Sequence, residues 1–266
     1  MSAAFRALHA QGCFLLPNPW DAGTARFLAA EGFQALATTS SGAAHAMGLP
    51  DGGMDLEATL AHVAAIVRAT ALPVNADFGA GFAATPKGVA ENVTRCAATG
   101  VAGLSIEDAA EALQPALFER DVAVARLRAA RRALDALGNP AMLVGRCEAF
   151  FTTLADPLAE ALSRIPAYAE AGAEVIYVPG LTTLAQMEAV VRAAHPLPVN
   201  VLVSRPLGLT QAQIAATGVR RISVGGALAG VAWGALANAA RSLKAGSFEA
   251  LGARLPGGEL NRLFGG

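Results

Sequence analysis

The sequence has few of the residues that cross-link or metal-stabilise small proteins. It contains three cysteines among 266 residues, at positions 13, 96 and 147, and this spacing matches no zinc-binding motif. An odd number of well-separated cysteines is typical of reduced thiols. We therefore expect a cytoplasmic protein without structural disulfides.

Charge is scarce, and neither sign dominates. The chain has 20 basic and 21 acidic residues, a formal net charge of −1 and no basic block, so we expect neither a nucleic-acid partner nor an anionic membrane partner. Hydrophobic residues make up 54% of the chain, which predicts a large buried core. No uninterrupted apolar run reaches about 18 residues, so we expect no transmembrane span, and we find no signal-peptide pattern at the start.

Short apolar runs alternate with longer segments of helical period. The predicted strands are residues 14–17, 35–39, 73–78, 103–107, 142–148, 175–179, 199–203 and 221–224. The predicted helices are residues 22–31, 56–69, 86–98, 121–137, 158–171, 184–194 and 211–216. Such alternation predicts a parallel sheet covered by helices.

Two α/β architectures fit this alternation, an open doubly wound sheet and a closed (β/α)₈ TIM barrel. No GxGxxG motif follows the first strand, and eight even repeats favour closure. We therefore predict one barrel domain over residues 1–266, with residues 227–266 as a C-terminal helical extension. Its active site should lie at the C-terminal ends of the strands, where the long loops 40–54 and 108–118 also lie.

Polar pairs with a spacing of two residues end three successive central strands. Side chains two residues apart share one face of a strand, so each pair should point into the barrel mouth. The pairs are Asn75 with Asp77, Ser105 with Glu107, and Arg146 with Glu148. Buried charges are costly unless they are paired or bound to a metal. The arrangement predicts either an active site or an internal ion-pair network that closes the barrel, and three pairs favour the active site.

Several other residues have plain structural interpretations. Cys147 should point away from its neighbours Arg146 and Glu148 and pack under the helices, because side chains alternate along a strand. The basic residues of helix 121–137 should form a solvated face. They are Arg126, Arg128, Arg131 and Arg132. His9 should lie on the surface of a helix.

Five segments in this order resemble the isocitrate lyase/phosphoenolpyruvate mutase superfamily, and within it the small bacterial phosphoenolpyruvate-mutase-like proteins. They are NPWDAGTAR (18–26), ATTSSGAAHAMGLPDG (37–52), PVNADFGAGF (73–82), GLSIED (103–108) and GRCEAF (145–150). The resemblance covers about residues 5–241. It implies a (β/α)₈ fold, a small 2-oxo acid or carboxylate substrate, and chemistry that depends on Mg²⁺ (or Mn²⁺).

The resemblance also assigns roles to residues. The family's metal-binding positions fall on Asp51, Asp77, Glu107 and Asn75, where Asn75 replaces the family's usual aspartate and should weaken the affinity for Mg²⁺. The substrate carboxylate would be held by the loop with Thr39, Ser40 and Ser41, together with Asp77 and Arg146. Arg146, Glu107 and Glu148 would be the catalytic residues.

The loop after the fourth strand lacks the family's decisive residues. It reads DAAEALQPALF (108–118) and has no Cys, His or Lys of the isocitrate lyase type and no Lys or Asn of the phosphonate type. We therefore favour a Mg²⁺-dependent lyase that cleaves a C–C bond of a small 2-oxo or 2-hydroxy carboxylate, oxaloacetate-like or methylisocitrate-like, through an enolate. The alternatives are a C–P bond mutase or hydrolase and a non-catalytic barrel that binds 2-oxo acids.

The last predicted helix, residues 227–244, is apolar around most of its circumference. It has no charged residue between positions 227 and 240, which is about four helical turns. A helix on the outside of a monomeric barrel should have a polar stripe. We therefore expect a homodimer or homotetramer, and the resemblance implies that C-terminal helices are exchanged between subunits.

Overall fold

The protein is a (β/α)₈ barrel in a computed structural model that describes residues 2–109, 116–138 and 141–265. The strands are β1 (Phe14–Leu16), β2 (Leu36–Ala37), β3 (Val74–Asp77), β4 (Gly103–Glu107), β5 (Met142–Arg146), β6 (Val175–Tyr177), β7 (Val199–Leu202) and β8 (Arg221–Ser223). They form one sheet in the order β1-β8-β7-β6-β5-β4-β3-β2, and every pair is parallel. Each strand lies inside or within one residue of its predicted span, and the predicted fold class is confirmed.

The described helices account for the surface of the barrel. They are α1 (Ser2–Leu8), α2 (Ala22–Ala30), α3 (Ser40–Ala46), α4 (Leu56–Ala69), α5 (Pro86–Ala97), α6 (Arg120–Asp135), α7 (Pro157–Glu170), α8 (Leu184–Ala194), α9 (Gln211–Ala216), α10 (Ala227–Lys244) and α11 (Gly257–Phe264). Among these helices, none is long and apolar enough to cross a membrane.

Side-chain caps explain where several helices begin. The Asp21 carboxylate accepts a hydrogen bond from the backbone N–H of Thr24, and the Thr24 hydroxyl accepts one from the backbone of Asp21. Thr85 caps α5, whose first residue is Pro86, and Pro is favoured there because the first helical N–H needs no partner. Local sequence therefore fixes the start of these helices before tertiary packing is considered.

The two ends of the barrel are closed differently. At the N-terminal end, the fully buried ring of Phe5 from α1 packs with Phe14 and Met142 at the starts of their strands. Between β1 and β2 the backbone N–H of Ala37 donates to Pro17 O (3.0 Å), which joins the two ends of the sheet. Phe5 therefore closes the N-terminal end of the barrel.

The C-terminal extension leaves an apolar surface open to solvent. Ala229 is the one residue of α10 that is buried, whereas Val231 is 70% exposed and Leu236 is 56% exposed. Residues 247–264 cover this helix only in part. The 3-10 turn Glu249–Ala253 contacts α10, whereas α11 lies against α2, where the Arg26 guanidinium donates to Phe264 O (3.0 Å).

Candidate active site

The ends of three neighbouring strands bring a carboxylate, a second carboxylate and a guanidinium together. Asp77 ends β3, Glu107 ends β4 and Arg146 ends β5, and Glu107 is paired with Arg146 in the sheet register. Arg146 Nη1 lies 3.1 Å from Asp77 Oδ1 and 3.4 Å from Glu107 Oε2. The side chains are 15–17% exposed, so they face the barrel mouth, as the two-residue spacing predicts.

A third carboxylate completes the cluster. Arg146 Nε donates to Glu148 Oε1 (2.5 Å), and the Glu148 side chain is only 7% exposed. The backbone N–H of Glu148 donates to Asp108 Oδ1 (2.8 Å), and Asp108 in turn accepts from the Tyr168 hydroxyl and lies 3.4 Å from Arg164 Nη1. Asp108 therefore fixes the backbone that positions Glu148.

The electrostatics of the cluster favour the protonated form of its two buried glutamates. Burial raises the pKa of the Glu107 carboxyl to about 8, nearby Glu148 and Asp77 raise it further, and the Arg146 guanidinium opposes them. Burial also raises the pKa of Glu148. Burial disfavours the charged form of Arg146 too, but its carboxylate neighbours outweigh that effect and hold the pKa of Arg146 well above its ordinary value. Arg146 is therefore a permanent cation.

The predicted carboxylate-binding loop begins helix α3. Thr39 caps this helix, and its hydroxyl accepts from the backbone N–H of Gly42 (3.2 Å). The backbone N–H and the hydroxyl of Ser40 both donate to Asp77 Oδ2, at 3.1 and 2.8 Å, and the hydroxyls of Thr39 and Ser41 are 3.2 Å apart. The donors of Ser40 therefore reach an anion at this place, and the anion that they bind here is Asp77.

Two cavities meet at the ion cluster. One of about 480 Å³ is lined by Glu107 and Glu148, and one of about 250 Å³ extends down the barrel axis past Asp77. Both are lined by Ser40, Asp51, Arg146 and Phe151. Asp51 is exposed and lies at the rim, whereas the other predicted acids lie deeper.

The four residues to which the resemblance assigns a metal do not form a ready divalent-cation site. Within the described ranges, no group of three or more His, Cys, Asp or Glu side chains is placed to hold a metal ion. The Arg146 guanidinium lies between the carboxylates of Asp77 and Glu107. The buried Oδ1 of Asn75 has no hydrogen-bond partner. It lies beside Gly103, the first residue of β4, and Glu107 is the last residue of that strand, about 13 Å away along it. As placed, Asn75 does not join the other candidate ligands.

Sequence analysis missed a polar floor beneath the cluster. The Arg221 guanidinium is 2% exposed and donates through Nε to Asn200 Oδ1 (2.9 Å), and its buried Nη1 has no hydrogen-bond partner. Burial lowers the pKa of Arg221 to about 10. Tyr177 lies between the two arginines of the cavity, with its ring centroid 5.1 Å from the Arg146 guanidinium. The sequence signal for this floor was that Asn200 and Arg221 are polar residues at inward-facing positions near the starts of β7 and β8.

The prediction that the arginines of α6 form a solvated face is wrong for Arg126. Arg126 was expected on a solvated face, but it is 2% exposed and donates to the carbonyls of Ala80 (2.5 Å), Ala83 (2.8 Å) and Ala84 (3.3 Å). Its guanidinium also lies over the Phe118 ring, 4.4 Å from the centroid. The buried guanidinium therefore anchors the loop after β3 to α6.

Three further predictions on single residues have mixed outcomes. Cys147 is fully buried in the outer core, as strand alternation predicts, and burial raises the pKa of its thiol well above the ordinary value. His9 was expected at the surface, but it is buried and lies edge-on to the rings of Phe5 and Phe14. Arg131, also expected in solvent, pairs with Glu174 at 2.6 Å.

The loop after β4 is described only at its two ends. The observation that it has no Cys, His, Lys or Asn concerns residues 108–118, of which 110–115 lie outside the described residues. Ala109 and Leu117 form an antiparallel bridge, and the backbone N–H of Phe118 donates to Asp108 O (2.8 Å). The two ends of the loop therefore meet beside Glu107 and Glu148.

Comparisons with known proteins identify the family and agree with the fold. The family model described as phosphoenolpyruvate phosphomutase matches residues 5–244. A crystal structure of a protein of Burkholderia cenocepacia J2315, provisionally described as a lyase/mutase, is 46% identical with a TM-score of 0.95, and the match covers 100% of this chain and 96% of that one.

Two curated relatives with assigned activities are similar over part of their length. The 2-methylisocitrate lyase of Escherichia coli (strain K12) is 33% identical over 163 residues, which is 58% of this chain and 53% of the relative. The oxaloacetate decarboxylase of Rhodopseudomonas palustris (strain BisB5) is 37% identical over 169 residues, 60% of this chain and 55% of the relative. The chain therefore belongs to the phosphoenolpyruvate phosphomutase family, and it is an enzyme of the lyase and mutase class of the phosphoenolpyruvate mutase/isocitrate lyase superfamily.

Proposed function

We propose that this enzyme cleaves a carbon–carbon bond of a small 2-oxo or 2-hydroxy carboxylate, oxaloacetate-like or methylisocitrate-like, through an enolate. The observation that supports the proposal most directly is the permanent cation Arg146, at the meeting point of two cavities and surrounded by three acids. A fixed guanidinium in a water-poor site stabilises a developing negative charge more strongly than water does. The similarity to an oxaloacetate decarboxylase and a 2-methylisocitrate lyase agrees with this choice.

Several residues of the site bind the substrate in this reaction. Arg146 binds the carboxylate and the 2-oxo oxygen of the substrate with the guanidinium donors that are not engaged by Glu148, Asp77 and Glu107. The hydroxyls of Thr39 and Ser41 hold the same carboxylate, and Ser40, whose N–H and hydroxyl both donate to Asp77, keeps the loop in place. When the C–C bond breaks, its electron pair moves into the enolate beside Arg146.

The enolate carbon must then take up a proton. The Glu107 carboxyl, whose pKa is raised by burial, lies 3.4 Å from Arg146 and is the group placed to supply this proton when it holds no cation. Glu148 keeps Arg146 in position through the bond at its Nε. In an oxaloacetate-like reaction the products are carbon dioxide and pyruvate, and one proton enters at the carbon that lost the carboxylate.

Dependence on Mg²⁺ (or Mn²⁺) is part of the proposal as an expectation from the family. Asp77, Glu107 and Asp51 are the carboxylates that could contribute to such a site together with substrate oxygens, since Mg²⁺ keeps several waters and needs few protein ligands. None of the steps above depends on the cation.

A C–P bond mutase or hydrolase is the second candidate, because the matching family model is described as phosphoenolpyruvate phosphomutase. The absence of Lys and Asn from the sequence of loop 108–118 ranks it below C–C cleavage.

We also propose that the enzyme is a homodimer or homotetramer, because α10 exposes Val231, Trp233 and Leu236. We propose that it is cytoplasmic.

A substrate panel tests the proposal. Oxaloacetate, 2-methylisocitrate, isocitrate and phosphonopyruvate are incubated with the enzyme and Mg²⁺ or Mn²⁺, and pyruvate, glyoxylate and phosphate are measured. We expect pyruvate from a carboxylate substrate, and loss of its formation in Arg146→Lys, which keeps the charge but loses the fork. The exposed Arg132→Lys is the matched control. Faster turnover of phosphonopyruvate than of any carboxylate would reverse the ranking, and activity in Arg146→Lys equal to the wild type would remove Arg146 from the mechanism.

A further inference from the structure

The larger cavity is lined by both charged and large apolar side chains. The charged ones are Glu107, Arg146 and Glu148, and the large apolar ones are Met54, Phe82 and Phe151. A volume of about 480 Å³ is in the range of pockets for ligands much larger than a three-carbon acid. The charged side chains account for a carboxylate and an oxo group, but they give no reason for three large apolar side chains in the same cavity.

Phe82 is held in a conformation that disfavours a side chain. Its φ is +54°, and among the described residues it is the only one other than glycine with a positive φ. A bulky residue adopts this region only where the surroundings impose it, and such residues concentrate at functional sites. A glycine would occupy the same backbone without strain.

Two side chains impose this conformation from outside the cavity. Asn92 Nδ2 donates to Gly81 O (3.0 Å) and to Phe82 O (3.1 Å). Arg126 binds the carbonyls on both sides, those of Ala80 and Ala83. The backbone of Phe82 is therefore fixed from two helices, α5 and α6.

Core packing does not explain the aromatic ring. Phe82 remains 37% exposed and contacts Phe78 edge-on at 5.2 Å between centroids. Phe151 is 45% exposed at the same cavity. Large apolar groups that stay exposed around a concave site are typical of ligand-binding surfaces.

We propose that Phe82, with Met54 and Phe151, forms an apolar subsite for an alkyl or aryl substituent of the substrate. The substrate class is then a 2-oxo or 2-hydroxy acid that has a nonpolar group besides its carboxylate. This inference rests on the proposed function for the position of the carboxylate at Arg146. The strained backbone of Phe82 places a rigid ring where glycine would leave the cavity open.

Binding of a homologous series tests the subsite. Pyruvate, 2-oxobutyrate, 2-oxovalerate and 2-oxohexanoate are titrated into the wild-type enzyme by calorimetry, with Mg²⁺ present throughout. We expect Kd to fall about fourfold for each added methylene, the value for full transfer of a CH₂ group out of water. In Phe82→Gly the fall should be less than twofold for each methylene, with the Kd of pyruvate unchanged.

Controls separate the subsite from a structural role of the ring. Phe248→Gly removes an aromatic ring that is 73% exposed outside the cavity, and it should retain the wild-type series. Phe82→Gly relieves the positive φ, so its Tm should equal or exceed that of the wild type, whereas a packing role predicts a lower Tm and no change in the series. If the wild-type enzyme binds pyruvate and the three longer acids with equal affinity, the subsite is overturned but the proposed function is not. Absence of binding by every acid would overturn both the subsite and the proposed function.

Discussion

Replacing Arg126 by methionine should loosen one wall of the active site. The substitution keeps most of the aliphatic stem on α6 but removes hydrogen bonds to the carbonyls of Ala80, Ala83 and Ala84. These carbonyls belong to the loop that follows β3 and bears Phe82. The loop would then lose the contacts that fix it to α6.

The expected loss of stability follows from the two shorter bonds, at 2.5 and 2.8 Å. A hydrogen bond from a charged donor contributes about 1.5–3 kcal/mol, which gives an upper value of about 3–6 kcal/mol for the pair. Removing a buried cation recovers part of its desolvation cost, and the carbonyls of the partly exposed loop can bind water. We therefore expect a net loss of about 2–3 kcal/mol, or a decrease in Tm of about 5–10 °C for a chain of this size.

Calorimetric melting and titration with a 2-oxo acid measure the two consequences. Arg126→Met should lower Tm by the amount above and weaken binding of 2-oxobutyrate, because the ring of Phe82 is no longer held. Arg128→Met, an exposed residue on the same helix, is the control and should change neither. A wild-type Tm in Arg126→Met would refute the anchoring, and a lower Tm with unchanged affinity would refute its role in positioning the cavity wall.

Three further predictions concern assembly, the cation and pH. Light scattering should give a mass of at least twice 26.9 kDa, and deletion of residues 227–266 should abolish the oligomer; a monomeric wild type would contradict this. Calorimetry should show weaker Mg²⁺ binding in Asp77→Ala and an unchanged affinity in Asn75→Asp, whose side chain lies away from the other candidate ligands; tighter binding in Asn75→Asp would place residue 75 in the site. Burial lowers the pKa of His9 to about 3, so below about pH 6.5 the unfolded chain takes up a proton that the folded chain does not, and stability falls with decreasing pH. Between about pH 7 and pH 5.5, the free energy of unfolding measured in urea should fall by about 1 kcal/mol more in the wild type and in the exposed His195→Gln than in His9→Gln.

The barrel was predictable because its signals are local. Strand alternation placed Asp77, Glu107 and Arg146 on one face, and their ion pairs confirm it. The missed elements lack such signals. Helix α3 begins at Ser40 and contains a glycine, so its sequence is typical of a loop, and α1 is too short for a periodic pattern.

Arg126 of α6 shows why the burial of a single charged residue is difficult to predict from sequence. A charged residue on a helix is usually solvated, and this general tendency gave the wrong prediction for Arg126. Its position nevertheless contained a signal, because it follows buried Ala123 by three residues and precedes buried Ala130 by four. Its partners are carbonyls of a distant loop, and no pattern in the helix itself identifies them. Arg221 is a similar case, since its neighbour Asn200 lies on another strand.

The central claim is that this site forms an enolate beside Arg146. Proton NMR in D₂O with Mg²⁺ measures this directly as exchange of the methyl protons of pyruvate, or of the methylene protons of succinate, for deuterium. The account predicts exchange well above the buffer rate with the wild type and loss of that exchange in Arg146→Lys. Bound pyruvate without exchange of either acid would contradict it and would indicate a barrel that binds 2-oxo acids without catalysis.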